Sequence, residues 1–135
     1  MEMRRMKTSE KIVYKTKVNE VGSEAKGFRD IQMLILFGNE APDALRSSCY
    51  IIDVNRVDEN ITTGMLLAID GKKYKITAVG NEVQNNLTNL GHIAISFTGT
   101  TVAELPGTLY VEKGDYPELN VNTQIEILDL KGKAE

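Results

Sequence analysis

The stretch Met65-Leu-Leu-Ala-Ile-Asp-Gly-Lys-Lys-Tyr-Lys-Ile-Thr-Ala-Val79 decides the fold class. Two runs rich in apolar and β-branched residues, 65–69 and 73–79, flank the dipeptide Asp70-Gly71. Asp-Gly accepts positive φ at both centres of a two-residue turn, and such a turn has the twist that antiparallel strands require. The stretch therefore predicts a β-hairpin.

Upstream, residues 50–54 (Tyr-Ile-Ile-Asp-Val) predict a strand. Before it, 39–48 contains Ala41-Pro-Asp-Ala-Leu, where proline suits a first helical turn and the acid suits the positive end of the dipole. One or two helical turns are expected there. Residues 31–37 are almost continuously apolar and predict a strand buried on both faces. Gly22 to Gly27 forms a break, and before it Ile12, Tyr14, Thr16 and Val18 alternate with Lys15, Lys17 and Asn19. That period of two predicts a half-buried strand with the first set on one face. Residues 1–10 show no periodicity and read as a loose lead-in to a single domain over 11–135.

Downstream, the period changes over 81–90, where Val83, Leu87 and Leu90 fall at helical spacing. Asn81 is the expected cap, with Gln84 as its box-like partner and Gly91 closing the far end. Strand patterns resume at 93–97, 108–111 and 123–130, punctuated by Gly99 and Pro106-Gly107. Short strands, frequent glycine turns and one or two short helices describe an all-β fold, a small barrel or sandwich of about seven short strands. Edge strands of such a fold pair readily, which leaves a homo-oligomer open.

Composition narrows the partners. The chain of 135 residues has 16 basic and 19 acidic side chains, a formal charge of −3, with 6% aromatics. That balance lacks the electrostatic attraction that drives most binding to phosphate backbones, so no nucleic acid is expected. A single cysteine, Cys49, forms no internal disulfide and suits a reducing compartment. The longest apolar runs, 33–37 and 65–69, fall far short of the ~20 residues that span a bilayer, and the N-terminus lacks the apolar core of a secretory signal. A cytoplasmic location is expected, where the glycosylation-like tripeptides Asn60-Ile-Thr and Asn86-Leu-Thr carry no meaning.

Few residues offer chemistry. One histidine and one cysteine do not make a zinc site, and no glycine-rich phosphate loop occurs, so neither metal nor cofactor is expected. Cys49 and His92 could form a nucleophile–base pair, but Cys49 adjoins Tyr50-Ile-Ile, where a thiol behaves as a small hydrophobe. His92 is the candidate catalytic residue. In Gly91-His-Ile-Ala-Ile-Ser-Phe, alternation puts Ile93, Ile95 and Phe97 on one face and His92, Ala94 and Ser96 on the other. Gly91 would let another protein's backbone approach, and the nearby helix C-terminus would make the imidazole more basic. These features suit a surface imidazole that attacks a phosphoryl group. They suit equally a histidine that bonds a carbonyl at a strand start.

Ile76-Thr-Ala-Val-Gly, then Asn86-Leu, Leu90-Gly-His, Phe97 and Pro106-Gly-Thr form an ordered set. Gln32-Met-Leu-Ile, Phe37, Ala41-Pro and Cys49-Tyr-Ile precede them in order. Over about residues 12 to 130 the set resembles the glucitol/sorbitol-specific enzyme IIA component of the bacterial phosphoenolpyruvate-dependent sugar phosphotransferase system. The resemblance implies a cytoplasmic β-barrel that accepts a phosphoryl group from the histidine phosphocarrier protein onto a histidine. It would then pass the group to the IIB part of the membrane-bound IIB/IIC sugar transporter. The resemblance also places the family's phosphohistidine at Ile52, which has no nucleophile. Two readings follow. Either His92, which follows Leu-Gly as in the family, is the acceptor, or the chain is a non-catalytic paralogue that acts as a binding or regulatory module. Asp53 could form an acyl phosphate, but strand alternation turns it to the other face from residue 52. The helix 81–90 and the loop 55–63 are candidate partner surfaces on either reading.

Overall fold

A computed structural model describes residues 9–131. Strands β4 (Leu66–Ile69) and β5 (Lys72–Val79) pair antiparallel with Ile69 opposite Lys72, so Asp70-Gly71 alone makes the turn. Both turn residues have positive φ, 48° and 86°, as the two-residue hairpin requires. The Asp70 carboxylate also accepts a hydrogen bond from the Gln124 N–H at 2.8 Å, which ties the turn to the strand beside it. A Cβ on Gly71 would meet nothing within 4 Å, so Gly71→Ala isolates the backbone cost of that φ. The substitution should lower stability by about 1–2 kcal/mol. Urea unfolding should show an earlier midpoint with an unchanged slope.

The other strands are β1 (Ser9–Val21), β2 (Met33–Gly38), β3 (Tyr50–Ile52), β6 (Ile93–Ser96), β7 (Thr108–Val111) and β8 (Gln124–Lys131). They close into an eight-stranded barrel in the order β1-β3-β2-β6-β7-β5-β4-β8, with β8 paired back onto β1. The all-β barrel is the expected class, with eight strands in place of about seven. Every strand has two neighbours in this order, with the long strands β1 and β5 pairing to one of them along each half of their length. Residues 1–8 of the expected lead-in lie outside the described residues, while Ser9 and Glu10 already belong to β1.

Two neighbouring pairs, β2–β3 and β6–β7, are parallel. Parallel neighbours cannot be joined by a hairpin, so the chain must cross over between them. The β2–β3 crossing carries the helix α1 (Asp43–Arg46), a single turn where one or two were expected. A 3-10 helix, Ala25–Ile31, occupies the break between β1 and β2 and takes Ile31 out of the predicted strand. The second α-helix, α2 (Val83–Leu90), connects β5 to β6.

Apolar side chains divide into two clusters. Leu34, Leu36, Tyr50, Ile52, Ile93 and Ile95 fill the barrel with residues from the other strands. Phe37, Ala41, Cys49 and Ile51, with Ile35 against them, form a smaller cluster on the outside of β2 and β3. That outer cluster is why β2 is apolar on both faces. The alternation of β1 departs from expectation. Its register against β8 shifts between Ile12 and Tyr14, so Val13 and Tyr14 are both buried and Ile12 is 45% exposed. A bulge inserts one residue and changes the phase of the strand on one side of it.

Candidate functional site

His92 stands one residue before β6, directly after the glycine that ends α2. Gly91 adopts φ 67°, a left-handed conformation that favours glycine. The Gly91 and His92 N–H groups donate to the carbonyls of Leu87 and Asn86, which otherwise would have no helical partner. The far end is as expected, but the start is not. Helix α2 has Glu82 at its cap position with no side-chain cap bond, and Asn81 lies outside the helix. Gln84 does other work. Its side chain accepts a hydrogen bond from the Ile61 N–H at 2.9 Å and donates to the Glu59 carbonyl at 3.1 Å. The helix and the loop after β3, the two expected partner surfaces, are thereby fastened together.

Gly91 does allow a close backbone approach, but the approaching backbone is this chain's own. A Cβ on Gly91 would lie 3.1 Å from the Gly38 nitrogen, and one on Gly38 would lie 2.5 Å from the Leu90 carbonyl oxygen. This contact brings the end of β2 against the end of α2 and sets Phe37 beside His92. Their rings stack with centroids 4.0 Å apart and planes within 11°. Phe37 is itself fixed in the outer cluster by Ala41, Cys49 and Ile51.

The imidazole is half-buried, and neither ring nitrogen has a hydrogen-bond partner among the described residues. The carbonyl bond expected of a strand-start histidine is therefore not made. The predicted electrostatics is also reversed: burial holds the His92 pKa below its ordinary 6.5, although it lies beside a helix C-terminus. Burial disfavours the charged imidazolium, and the two backbone N–H bonds already engage the last carbonyls of the helix. Burial therefore favours the neutral ring, which carries a lone pair on one nitrogen.

The depressed pKa has a stability consequence of fixed sign. Between the folded pKa and the unfolded value near 6.5, the unfolded chain binds more protons, so stability is full above that window and is lost as pH falls through it. Because His92 is the only histidine, its proton resonances should report a midpoint below 6.5 directly. Urea midpoints at pH 7.5 and 5.5 should differ more for the wild type than for His92→Gln, from which this titration is absent.

Cys49 and His92 do not form a pair. The Cys49 thiol is buried, donates to the Leu45 carbonyl at 3.2 Å, and burial pushes its pKa up. It is a structural thiol under Phe37, not an activated nucleophile. Ile52 is fully buried in the barrel, opposite Val18 and Gly38, while His92 sits with Phe37 on the outer side of the same wall. Asp53 turns outward as alternation requires and is half-buried. Its carboxylate accepts a hydrogen bond from the Asn19 amide at 2.7 Å, and its carbonyl accepts one from the Thr16 hydroxyl at 2.9 Å.

Next to this wall lies a cleft of about 730 Å³ lined by Phe37, Asn39, Glu40, Pro42, Asp53, Val54, Asn55, Asn89 and Leu90. It gathers the end of β2, the segment after β3 and the last turn of α2. Its ionisable groups are two carboxylates, Glu40 and Asp53, beside three carboxamides, with no lysine or arginine in the lining. Asn55 and Asn89 belong to the loop and helix expected as partner surfaces and Phe37 to the residues that carry the resemblance, but nothing in the sequence brings these three separated segments to one cleft or sets Phe37 beside His92. Gly38 and Gly91, each next to a ring-bearing residue, were the available signals. No group of His, Cys, Asp and Glu able to hold a metal ion occurs among the described residues, and no described helix is long and apolar enough to cross a membrane.

Comparison with known proteins agrees with this architecture. A family model described as the PTS system glucitol/sorbitol-specific IIA component matches residues 13–126. The glucitol/sorbitol-specific EIIA components of Shigella flexneri and of Escherichia coli (strain K12) are each 33% identical over 100 residues, covering 74% of this chain and 81% of the relative. The crystal structure of a PTS system IIA component from Enterococcus faecalis V583 superimposes with a TM-score of 0.78 at 27% identity, covering 86% of this chain and 100% of that one. The chain belongs to the family of glucitol/sorbitol-specific IIA components of the sugar phosphotransferase system.

Proposed function

We propose that the protein is a cytoplasmic phosphoryl carrier that uses His92 as its covalent acceptor. It would take the group from the histidine phosphocarrier protein and pass it to the IIB component of a glucitol/sorbitol-type transporter. The observation that carries this reading is a half-buried imidazole, stacked on Phe37, whose nitrogens have no hydrogen-bond partner among the described residues, on the outer wall of a barrel of this family. In the step, a ring nitrogen of His92 donates its lone pair to phosphorus as the N–P bond of the donor phosphohistidine breaks. The proton on the other His92 nitrogen leaves to solvent, and the departing donor imidazole takes one up. In the onward step the His92 N–P bond breaks as a nucleophile of the IIB component bonds phosphorus, and the departing His92 imidazole takes up a proton. Since no cation lines the neighbouring cleft, positive charge that steadies the equatorial phosphoryl oxygens would come from the docked partner.

Ile52 favours a second reading. At the position where the family resemblance implies a phosphohistidine, this chain has an aliphatic side chain in the barrel core. A paralogue that keeps the fold but not the chemistry would bind the same partners without accepting phosphate. Labelled phosphoenolpyruvate separates the two. With enzyme I and the phosphocarrier, a carrier takes up acid-labile label and loses it to added IIB component. A binding module stays unlabelled while still retaining the phosphocarrier or IIB on a column.

A further inference from the structure

We propose that Phe37 is the orienting partner of the His92 imidazole, holding the ring by stacking where a hydrogen bond would ordinarily do so. An imidazole in a reacting site is usually fixed through one nitrogen, which leaves the other to react. Here neither nitrogen is engaged by a described residue. Free rotation about the side chain would then spread the nucleophile over several directions. The near-parallel stack at 4.0 Å removes that freedom, because a large swing of the ring would break its contact with Phe37. The platform is rigid in turn. Phe37 is 8% exposed and packed by Ala41, Cys49 and Ile51, and the Gly38–Gly91 approach fixes the distance between the two backbones.

The arrangement makes Phe37 a positioning residue and keeps both imidazole nitrogens available. It also couples the imidazole to the cleft, since Phe37 forms part of the cleft wall and a partner seated there would press on the ring that holds His92. The consequence for transfer rests on the phosphoryl-carrier reading, whereas the orientation of the ring does not.

Phe37→Leu and Phe37→Tyr in the full chain test the proposal with two readouts. Proton NMR of the single imidazole should show its ring protons displaced upfield by the Phe37 ring current and a single side-chain rotamer. Phe37→Leu should lose the displacement and average the rotamers, and Phe37→Tyr should keep both. In transfer from the phosphocarrier, Phe37→Leu should lower kcat about 10- to 100-fold with KM little changed, and Phe37→Tyr should restore it. If Phe37→Leu loses the dispersed spectrum of a folded barrel, Phe37→Met takes its place. An unchanged His92 spectrum in the aliphatic variant overturns the proposal, as does unimpaired transfer by that variant. If the wild type accepts no phosphate, the carrier reading fails, and the ring-current measurement still decides the role of Phe37.

Discussion

Ile95→Ala should lower the unfolding free energy by about 2–5 kcal/mol. Ile95 is fully buried in β6, opposite Leu34 of β2 and Leu109 of β7, which are fully buried as well. Removing its branched end takes away contacts on both sides and leaves a cavity that three paired strands cannot easily collapse into. Domains of this size are typically stable by about 5–15 kcal/mol, so the loss is a large fraction of the total. Urea unfolding should show the drop with an unchanged slope. The position also sets the strand that follows His92, so the variant separates a weakened barrel from a lost acceptor. While folded, it should still take up phosphate.

His92→Gln should do the opposite, abolishing phosphoryl uptake and leaving the barrel intact. Glutamine is planar and polar, but its amide nitrogen has no lone pair free to attack phosphorus. Asp53 is not expected to substitute, because its carboxylate is held by Asn19 and its backbone carbonyl by Thr16. The structural cost is the loss of one ring stack at a half-buried site, about 0.5–1.5 kcal/mol beyond the apolar area the ring covers. Acid-labile label measured beside urea stability gives both quantities. Label that persists in this variant would remove His92 from the mechanism.

How far these features were legible in the sequence depends on the range of the interaction. Asp70-Gly71 and Gly91 act through φ values of their own residues, and the hairpin and the end of α2 follow from them directly. The phase change at Val13 has no local signature, because the bulge arises from pairing with β8 more than a hundred positions away. Asn81 and Gln84 matched a capping pattern, yet Gln84 is claimed by the backbone of Glu59 and Ile61. The alternation of Ile93 and Ile95, which enter the barrel, suffices to put His92 on the other face. Its electrostatics is not legible in this way, since the helix end is a sequence neighbour and the stacked ring of Phe37 is not. Phe37 itself looks like any core aromatic until the fold brings Gly38 against Gly91.

Whether His92 carries phosphate can be read from intact mass. Wild type and His92→Ala are incubated side by side with phosphoenolpyruvate, enzyme I and the phosphocarrier, with another IIA protein in the same tube as a competence control. The wild type should gain one phosphate, reversed by mild acid and absent from His92→Ala. No gain on the wild type while the control is phosphorylated would contradict it and leave a binding module that kept the barrel. A gain on both proteins would equally contradict it, and would place the phosphate on another residue, with Asp53 the first to examine.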